Sequence, residues 1–337
     1  MARITFQGRP YESDGRSVLD CLAAHGQAIP SACRAGVCQS CLMQARSGTV
    51  PERAQHGLGE AQRARGLFLA CQCVPEAALE VALADAVGRV PAEVVGKHFL
   101  NDDILALRLR PQAPYAYRAG QFLRLYANAG ESRNYSLASV PALDDALELH
   151  VRRIPGGLVS GWIAEHLLPG DVVQVSEALG NGFYVPGRPE QNLLLIGTGS
   201  GLAPLYGIVR DALHAGHEGR ILLFHGSPDA RGLYLVEELR RLAASHPNFE
   251  YQPCVSVSPA LDGEFAGNPV EAALRRMPDL AGWRIYLCGN PAMVETARLE
   301  TFLAGAASGE IFADPFLPSA PAPVPVPVPA PAQAPAN

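Results

Sequence analysis

The 337-residue chain is too long for one ordinary domain and fits two or three. Its 48% hydrophobic content against 18% charged residues supports sizeable cores and excludes global disorder. A net charge of −6, with no basic cluster interleaved with aromatics, argues against nucleic acid as the main partner.

The opening MARITFQGRP has no signal-peptide core, and no run of about 18 apolar residues exists to span a bilayer. The expectation is a cytoplasmic protein with no membrane partner. In that compartment its eight cysteines point to metal ligation or redox work rather than structural disulfides.

RITFQGRPYESDGRSVLD alternates like a hairpin around Gly8 and Asp14-Gly15, and SVLDCLAAHG predicts a helix ended by Gly26. CRAGVCQSC then places Cys33, Cys38 and Cys41 in a C-x4-C-x2-C array, and Cys71 follows in GLFLACQC. This is the plant-type iron–sulfur spacing. A 2Fe–2S cluster takes four thiolates, two per iron. One loop must wrap it, and small residues such as Ala32, Ala35, Gly36 and Ser40 let the backbone come close. A structural zinc site usually pairs two C-x2-C knuckles, and only one occurs here. Cys73 competes with Cys71 as fourth ligand; Cys21 and Cys254 read as small buried apolar residues. Residues 1–85 resemble a plant-type 2Fe–2S ferredoxin domain of β-grasp fold. Gln39 stands where many such relatives carry Gly, a change that alters the loop's amide environment and removes no ligand.

Residues 86–188 read as short, regularly spaced strands (AEVVGKHFL, ILALRLRP, GQFLRLYA, ALELHVRRI, DVVQVSEA), which predicts a small antiparallel barrel. Within it, RNYSLAS offers an Arg for phosphate, a ring for a flat heterocycle and a hydroxyl for its edge. Alone, that pattern is more often a plain sheet surface. Gly156-Gly157 open a predicted helix in PGGLVSGWIAEHL, an anion site or a simple loop-to-helix turn.

Residues 189–317 alternate strands and helices, which predicts a parallel α/β sheet with ligands at the strands' carboxyl ends. NLLLIG runs into GTGSGLAP and a helix, the dinucleotide-binding arrangement, with Leu202 at the third glycine position and Pro204 in the first helical turn. WRIYLCGNPAM ends a later strand at Cys288-Gly289. Residues 318–337 are Pro-Ala-Val, an extended, largely disordered tail.

R-x-Y-S, P-G-G…S, the glycine turn and CGNPAM together resemble the ferredoxin–NADP reductase superfamily. The order ferredoxin, FAD, NAD resembles the single-chain reductases that feed bacterial oxygenases. The fold class implied is multidomain: an α+β β-grasp ferredoxin domain, an antiparallel β-barrel FAD domain and an α/β parallel-sheet NAD domain. The resemblance implies FAD, with Arg133 at its pyrophosphate, Tyr135 against the isoalloxazine and Ser136 near flavin N5. Gly157, Leu158, Val159 and Ser160 would lie at the phosphate end. Gly197, Thr198, Gly199 and Gly201 would hold the nicotinamide dinucleotide, and Cys288 and Gly289 would approach the nicotinamide beside Ser136. Glu310 would be the acidic catalytic residue and Phe312 the ring over the flavin, with Phe316 its rival. Where relatives have G-P-x-G, ALGNGFYV keeps only Gly180 and Gly182, leaving that loop without an assigned role.

Relatives specific for NADP carry an Arg after a Ser at the end of the third strand. Here Val257 follows Ser256, with Arg231 the remaining cation, so NADH is the expected donor. The expected protein is an NADH-dependent flavin and iron–sulfur reductase whose acceptor is an oxygenase component or a ferredoxin. A reductase of deoxysugar biosynthesis shares the domain order. A cluster-based redox sensor or a zinc-stabilised scaffold are the readings from other classes.

Overall fold

A computed structural model of the chain describes residues 2–27, 29, 31, 34, 36, 39, 41–58, 60–84, 89–128 and 131–316. Cys33, Cys38 and the Pro-Ala-Val tail lie outside the described residues.

Three sheets follow one another along the chain. The first is built from β1 (Ala2–Phe6), β2 (Arg9–Ser13), β3 (Leu42–Ser47), β4 (Leu67–Leu69) and β5 (Leu79–Leu83) in the order β2-β1-β5-β3-β4. Gln7 and Gly8, both at positive φ, form the two-residue turn that joins Phe6 to Arg9. The helix α1 (Val18–Ala24) is capped by the Ser17 hydroxyl, which accepts from the Asp20 amide, and it buries Val18, Leu19, Cys21 and Leu22. A short α2 (Glu60–Ala64) precedes β4.

The second sheet comprises β6 (Val90–Phe99), β7 (Ile104–Pro111), β8 (Phe122–Asn128), β9 (Glu131–Ser136), β10 (Leu147–Arg152) and β11 (Val172–Val175), in the order β10-β7-β6-β11-β8-β9. Each neighbouring pair in it is antiparallel. The chain leaving the edge strand β9 bridges to the other edge, Leu137 against Leu149 in β10, so the sheet curls toward closure around Leu105, Leu107, Leu123, Leu125 and Leu149. Between β10 and β11, α3 (Leu158–Glu165) packs on β9. Lys97 donates to the carbonyl oxygens of Ile163, Ala164 and Leu167, placing a cation at the negative end of α3.

The third sheet is parallel throughout its named pairs: β12 (Leu193–Thr198), β13 (Ile221–Ser227), β14 (Phe249–Val255), β15 (Phe265–Ala266), β16 (Arg284–Gly289) and β17 (Ile311–Pro315), in the order β15-β14-β13-β12-β16-β17. Leu193 and Leu195 pack on one face with α4 (Leu202–His214) and Leu239 of α5 (Val236–Ser245). Leu194 and Ile196 pack on the other with α6 (Pro269–Arg276) and α7 (Pro291–Leu303). The period-two alternation within a run buried on both faces explains why NLLLIG has no polar break. Because β12 is flanked by β13 on one side and β16 on the other, the strand order reverses at the β12–β16 crevice, where such sheets bind ligands.

The second and third sheets are joined backbone to backbone. A Cβ at Gly207 of α4 would stand 3.0 Å from the Ala138 carbonyl oxygen, so only glycine allows this approach without displacement. Beside it, Arg210 grips Asp144 with two bonds of 2.9 Å, the bidentate arrangement that fixes orientation as well as attraction.

Candidate active site

The crevice is made by glycine. Gly201 sits against the end of β16: a Cβ there would stand 2.6 Å from the Cys288 carbonyl carbon and closer still to its oxygen. A Cβ on Gly289 would lie 2.5 Å from the Thr198 carbonyl oxygen. The two strand ends are further tied by the Asn290 amide, which donates to the Thr198 hydroxyl at 3.0 Å. Gly199 adopts φ +54, and the Arg152 guanidinium stands 3.6 Å from the position its Cβ would take. Thus Gly197, Thr198, Gly199 and Gly201 form one turn whose open side carries a cation from β10.

Cys288 pairs with Gly197 on one side and Asp314 on the other. It is 6% exposed, and burial pushes its thiol well above the ordinary range, with the Asp314 charge adding to the rise. Cys288 is therefore a neutral thiol, suited to packing and weak hydrogen bonding rather than nucleophilic attack. Phe122, Gly180, Tyr286, Cys288, Phe312 and Asp314 line one cleft.

In the second sheet, β9 carries Arg133, Tyr135 and Ser136. Arg133 is half-buried and bonds Glu131 at 3.3 Å and the Ser132 carbonyl oxygen at 2.7 Å. Tyr135 is half-buried, and burial raises its phenol, with Arg133 opposing the rise. Ser136 is buried and pairs in register with Phe122, whose ring reaches the cleft. Gly157 caps α3 beside them, and a Cβ on it would stand 2.6 Å from the Ser160 hydroxyl, which accepts from the Ile154 amide. Val159 and Ser160 are buried, whereas Leu158 is 66% exposed, so Leu158 has only its backbone to contribute.

Glu310 is placed differently from expectation. It precedes β17 and is bonded by Arg284 at 2.7 Å and Arg188 at 2.9 Å. Those guanidiniums hold its carboxyl below the usual range. Because β17 runs parallel to β16, Glu310 stands at the strands' amino end while Cys288 stands at their carboxyl end. The carboxylate brought beside Cys288 is Asp314. Phe312 does reach the cleft, stacked on Tyr286 with ring centroids 5.4 Å apart. Phe316 follows the strand, its amide donating to the Gly289 carbonyl oxygen.

In the first domain, Cys41 is buried and Cys71 half-buried. The Cys71 segment lies against the cysteine loop: Gln72 donates to the Arg34 carbonyl oxygen at 3.2 Å, and a Cβ on Gly36 would stand 2.9 Å from the Gln72 side chain. Cys73 is turned into the core, and burial pushes its thiol up to about 12. Cys21 and Cys254 are buried as expected.

The loop 179–182 is where the three domains meet. Leu179 and Phe122 belong to the apolar core of the first domain. Gly180 donates its amide to Gln39 at 3.4 Å. The Gly182 carbonyl oxygen stands 2.6 Å from where a Gly120 Cβ would be, and the Phe183 carbonyl oxygen accepts from Tyr286 of the third sheet. Sequence reasoning left this loop without a role and did not single out Arg152 or Asp314. A signal existed for Arg152 in the paired arginines that precede PGG. At the far edge, Ser256 and Val257 are exposed beyond β14, Val257 by 83%, and Arg231 is exposed with Asp229 its partner at 3.9 Å.

Among the described residues, no helix is long and apolar enough to cross a membrane. Comparison with known proteins matches residues 4–76 to a 2Fe-2S iron-sulfur cluster binding domain, 91–184 to an oxidoreductase FAD-binding domain and 195–299 to an oxidoreductase NAD-binding domain. The chain is 35% identical over 317 residues to the reductase component of the naphthalene 1,2-dioxygenase system of Pseudomonas putida, covering 91% of this chain and 95% of that one. It is 37% identical over 300 residues to the reductase subunit of an aromatic O-demethylase of Amycolatopsis, covering 83% and 88%. Among solved structures, a cytochrome P450 reductase from Amycolatopsis matches with a TM-score of 0.69 at 32% identity, covering 95% of this chain and all of the other.

Proposed function

Because the chain belongs to the family of reductases that join a 2Fe–2S domain to FAD-binding and NAD-binding domains, we propose that it draws hydride from NADH and delivers single electrons to a separate protein. The observation that carries this reading is the single cleft bordered by Cys288, Phe122 and Gly180, because Cys288 ends the nucleotide sheet and Gly180 touches the cysteine loop. Bound FAD supplies the conversion between a two-electron hydride and one-electron steps that the cluster accepts.

The residues fit these groups. The turn Gly197–Gly201 has the close backbone approach and positive φ that a pyrophosphate cradle needs, with Arg152 as its cation. The aromatic and glycine walls of the cleft suit a flat ring system. Tyr135 and Phe312 would cover it, Arg133 and the turn from Gly157 to Ser160 would meet the flavin phosphates, and Ser136 would serve the ring edge. Asp314 takes the acidic role in place of Glu310, which serves as an ion-pair anchor. Cys71 would be the fourth thiolate ligand with Cys33, Cys38 and Cys41, because the Cys71 segment lies against the cysteine loop while Cys73 is fully buried in the apolar core.

The acceptor is an oxygenase component or a ferredoxin, and the protein works in the cytoplasm. The relatives named above, from dioxygenase and O-demethylase systems, are 35% and 37% identical, against 30% for a CDP-6-deoxy-L-threo-D-glycero-4-hexulose-3-dehydrase reductase of Yersinia pestis, which supports the oxygenase class ahead of a deoxysugar enzyme. NADH is preferred over NADPH because the exposed edge at Ser256–Val257 offers no cation of its own. Anaerobic titration with NADH, followed by visible absorbance, should bleach both the flavin and the iron–sulfur bands. A colourless protein with its cofactors accounted for, or a flavin band that alone bleaches, would overturn the reading.

A further inference from the structure

Gln39 satisfies two domains with one side chain. It is 4% exposed and holds a left-handed backbone, φ +54, between Cys38 and Cys41. That conformation is unfavourable for a residue with a Cβ, and burying a primary amide is unfavourable unless both its ends are bonded. Both ends are bonded here, one on each side of a domain boundary. The amide nitrogen donates to the Gly57 carbonyl oxygen at 3.0 Å within the first domain, and the amide oxygen accepts from Gly180 at 3.4 Å in the second.

The same junction continues outward from this pair. Asn181 stands 3.7 Å from where a Gly57 Cβ would lie, Arg65 reaches Glu177 at 3.6 Å, and Phe122 packs into the first domain's core while also lining the cleft. A residue that carries left-handed strain and links two domains at the cysteine loop has an interdomain task.

We infer that Gln39 is a positioning residue for electron transfer, holding the cysteine loop against the floor of the flavin cleft. This rests on the function proposed above. Each transfer would move one electron from reduced flavin to the oxidised cluster, taking one iron from ferric to ferrous; the protein acceptor must draw that electron off before a second transfer, with the flavin's protons released to solvent, returns the flavin to its oxidised form. Gln39 takes no part in bond making. It fixes the separation of the two centres, and small displacements at such a junction cost large factors in rate.

The test is anaerobic stopped-flow absorbance of Gln39→Gly against wild-type holoenzyme. Flavin bleaching by NADH should be unchanged and cluster bleaching slowed roughly tenfold or more. Hydrogen exchange over residues 177–183 should quicken, while the cluster's midpoint potential stays at the wild-type value. A residue that merely shapes its own loop predicts unchanged exchange over residues 177–183, because glycine relieves the left-handed strain within that loop. Should Gln39→Gly lose the cluster, Gln39→Met, which keeps the volume and removes the amide, carries the same expectation. Wild-type cluster bleaching and exchange in the cluster-retaining variant would overturn the inference and leave the proposed function standing. A potential shift large enough to account for the slowing would overturn it as well. A wild-type protein whose flavin NADH does not reduce would overturn both.

Discussion

Cys288 and Asp314 occupy paired positions on adjacent parallel strands, so a neutral thiol and a carboxylate border the same cleft. Asp314 is placed to favour the positive charge that a nicotinamide ring gains as it gives up hydride. Asp314→Asn should slow flavin reduction by about 10²-fold with cluster content unchanged. Glu310→Gln should leave that rate near wild type and lower stability by about 1–3 kcal/mol, since it strips Arg284 of a charged partner. Rapid-mixing absorbance and urea unfolding read the two effects. An unchanged hydride-transfer rate in Asp314→Asn would assign Asp314 to structure alone.

The two candidate fourth ligands separate by substitution. Cys71→Ser should abolish the cluster's visible bands and its bound iron while NADH still bleaches the flavin. Cys73→Ser should retain the iron and lose stability by about 1–3 kcal/mol, because it buries a hydroxyl in an apolar core. Iron analysis of the purified variants decides, and the reverse pattern would make Cys73 the ligand.

Arg152 provides a test of the nucleotide turn. Its guanidinium lies beside Gly199 in the nucleotide turn, where a cation would contribute binding common to ground and transition states. Arg152→Ala should raise the KM for NADH by about 10-fold or more, a charge-assisted hydrogen bond's worth, with kcat little changed. A drop in kcat with KM unaltered would move Arg152 from binding to chemistry.

His225 predicts acid lability. It is fully buried at the carboxyl end of β13, and burial lowers its pKa to about 4, with His150 adding a small push and the Gly199 backbone opposing. Unfolded, the ring takes a proton below about pH 6.5, so the unfolded chain binds more protons as pH falls and stability declines from there through pH 4. The loss approaches about 3 kcal/mol at the acid end. His225→Phe should flatten that limb of the stability profile in urea unfolding at stepped pH; an undiminished acid slope would place the lability elsewhere.

Much of this architecture was legible because its signals are local. The cysteine spacing, the unbroken run NLLLIG ending in GTGSG, and the evenly spaced strands of the second sheet each carry their own periodicity. Asp314 was not legible, since Glu310 and Asp314 flank the same aromatic strand and only its register against β16 decides which reaches Cys288. The loop 179–182 showed two glycines and no chemistry. Its importance comes from Gln39 and Tyr286, partners remote in sequence. Gln39 itself was noticed as a departure from glycine, but its second bond lies in another domain.

The Gly207 seam has a consequence for how such a chain can be altered. Backbone pressed on backbone leaves no room at Gly207 itself for a side chain, so the flavin and nucleotide halves are held there as one casting. The Ser256–Val257 edge, by contrast, projects into solvent at the end of β14. If that rim sets cofactor choice, as proposed above, it can be rewritten there by an engineer while the weld between the two halves keeps its shape.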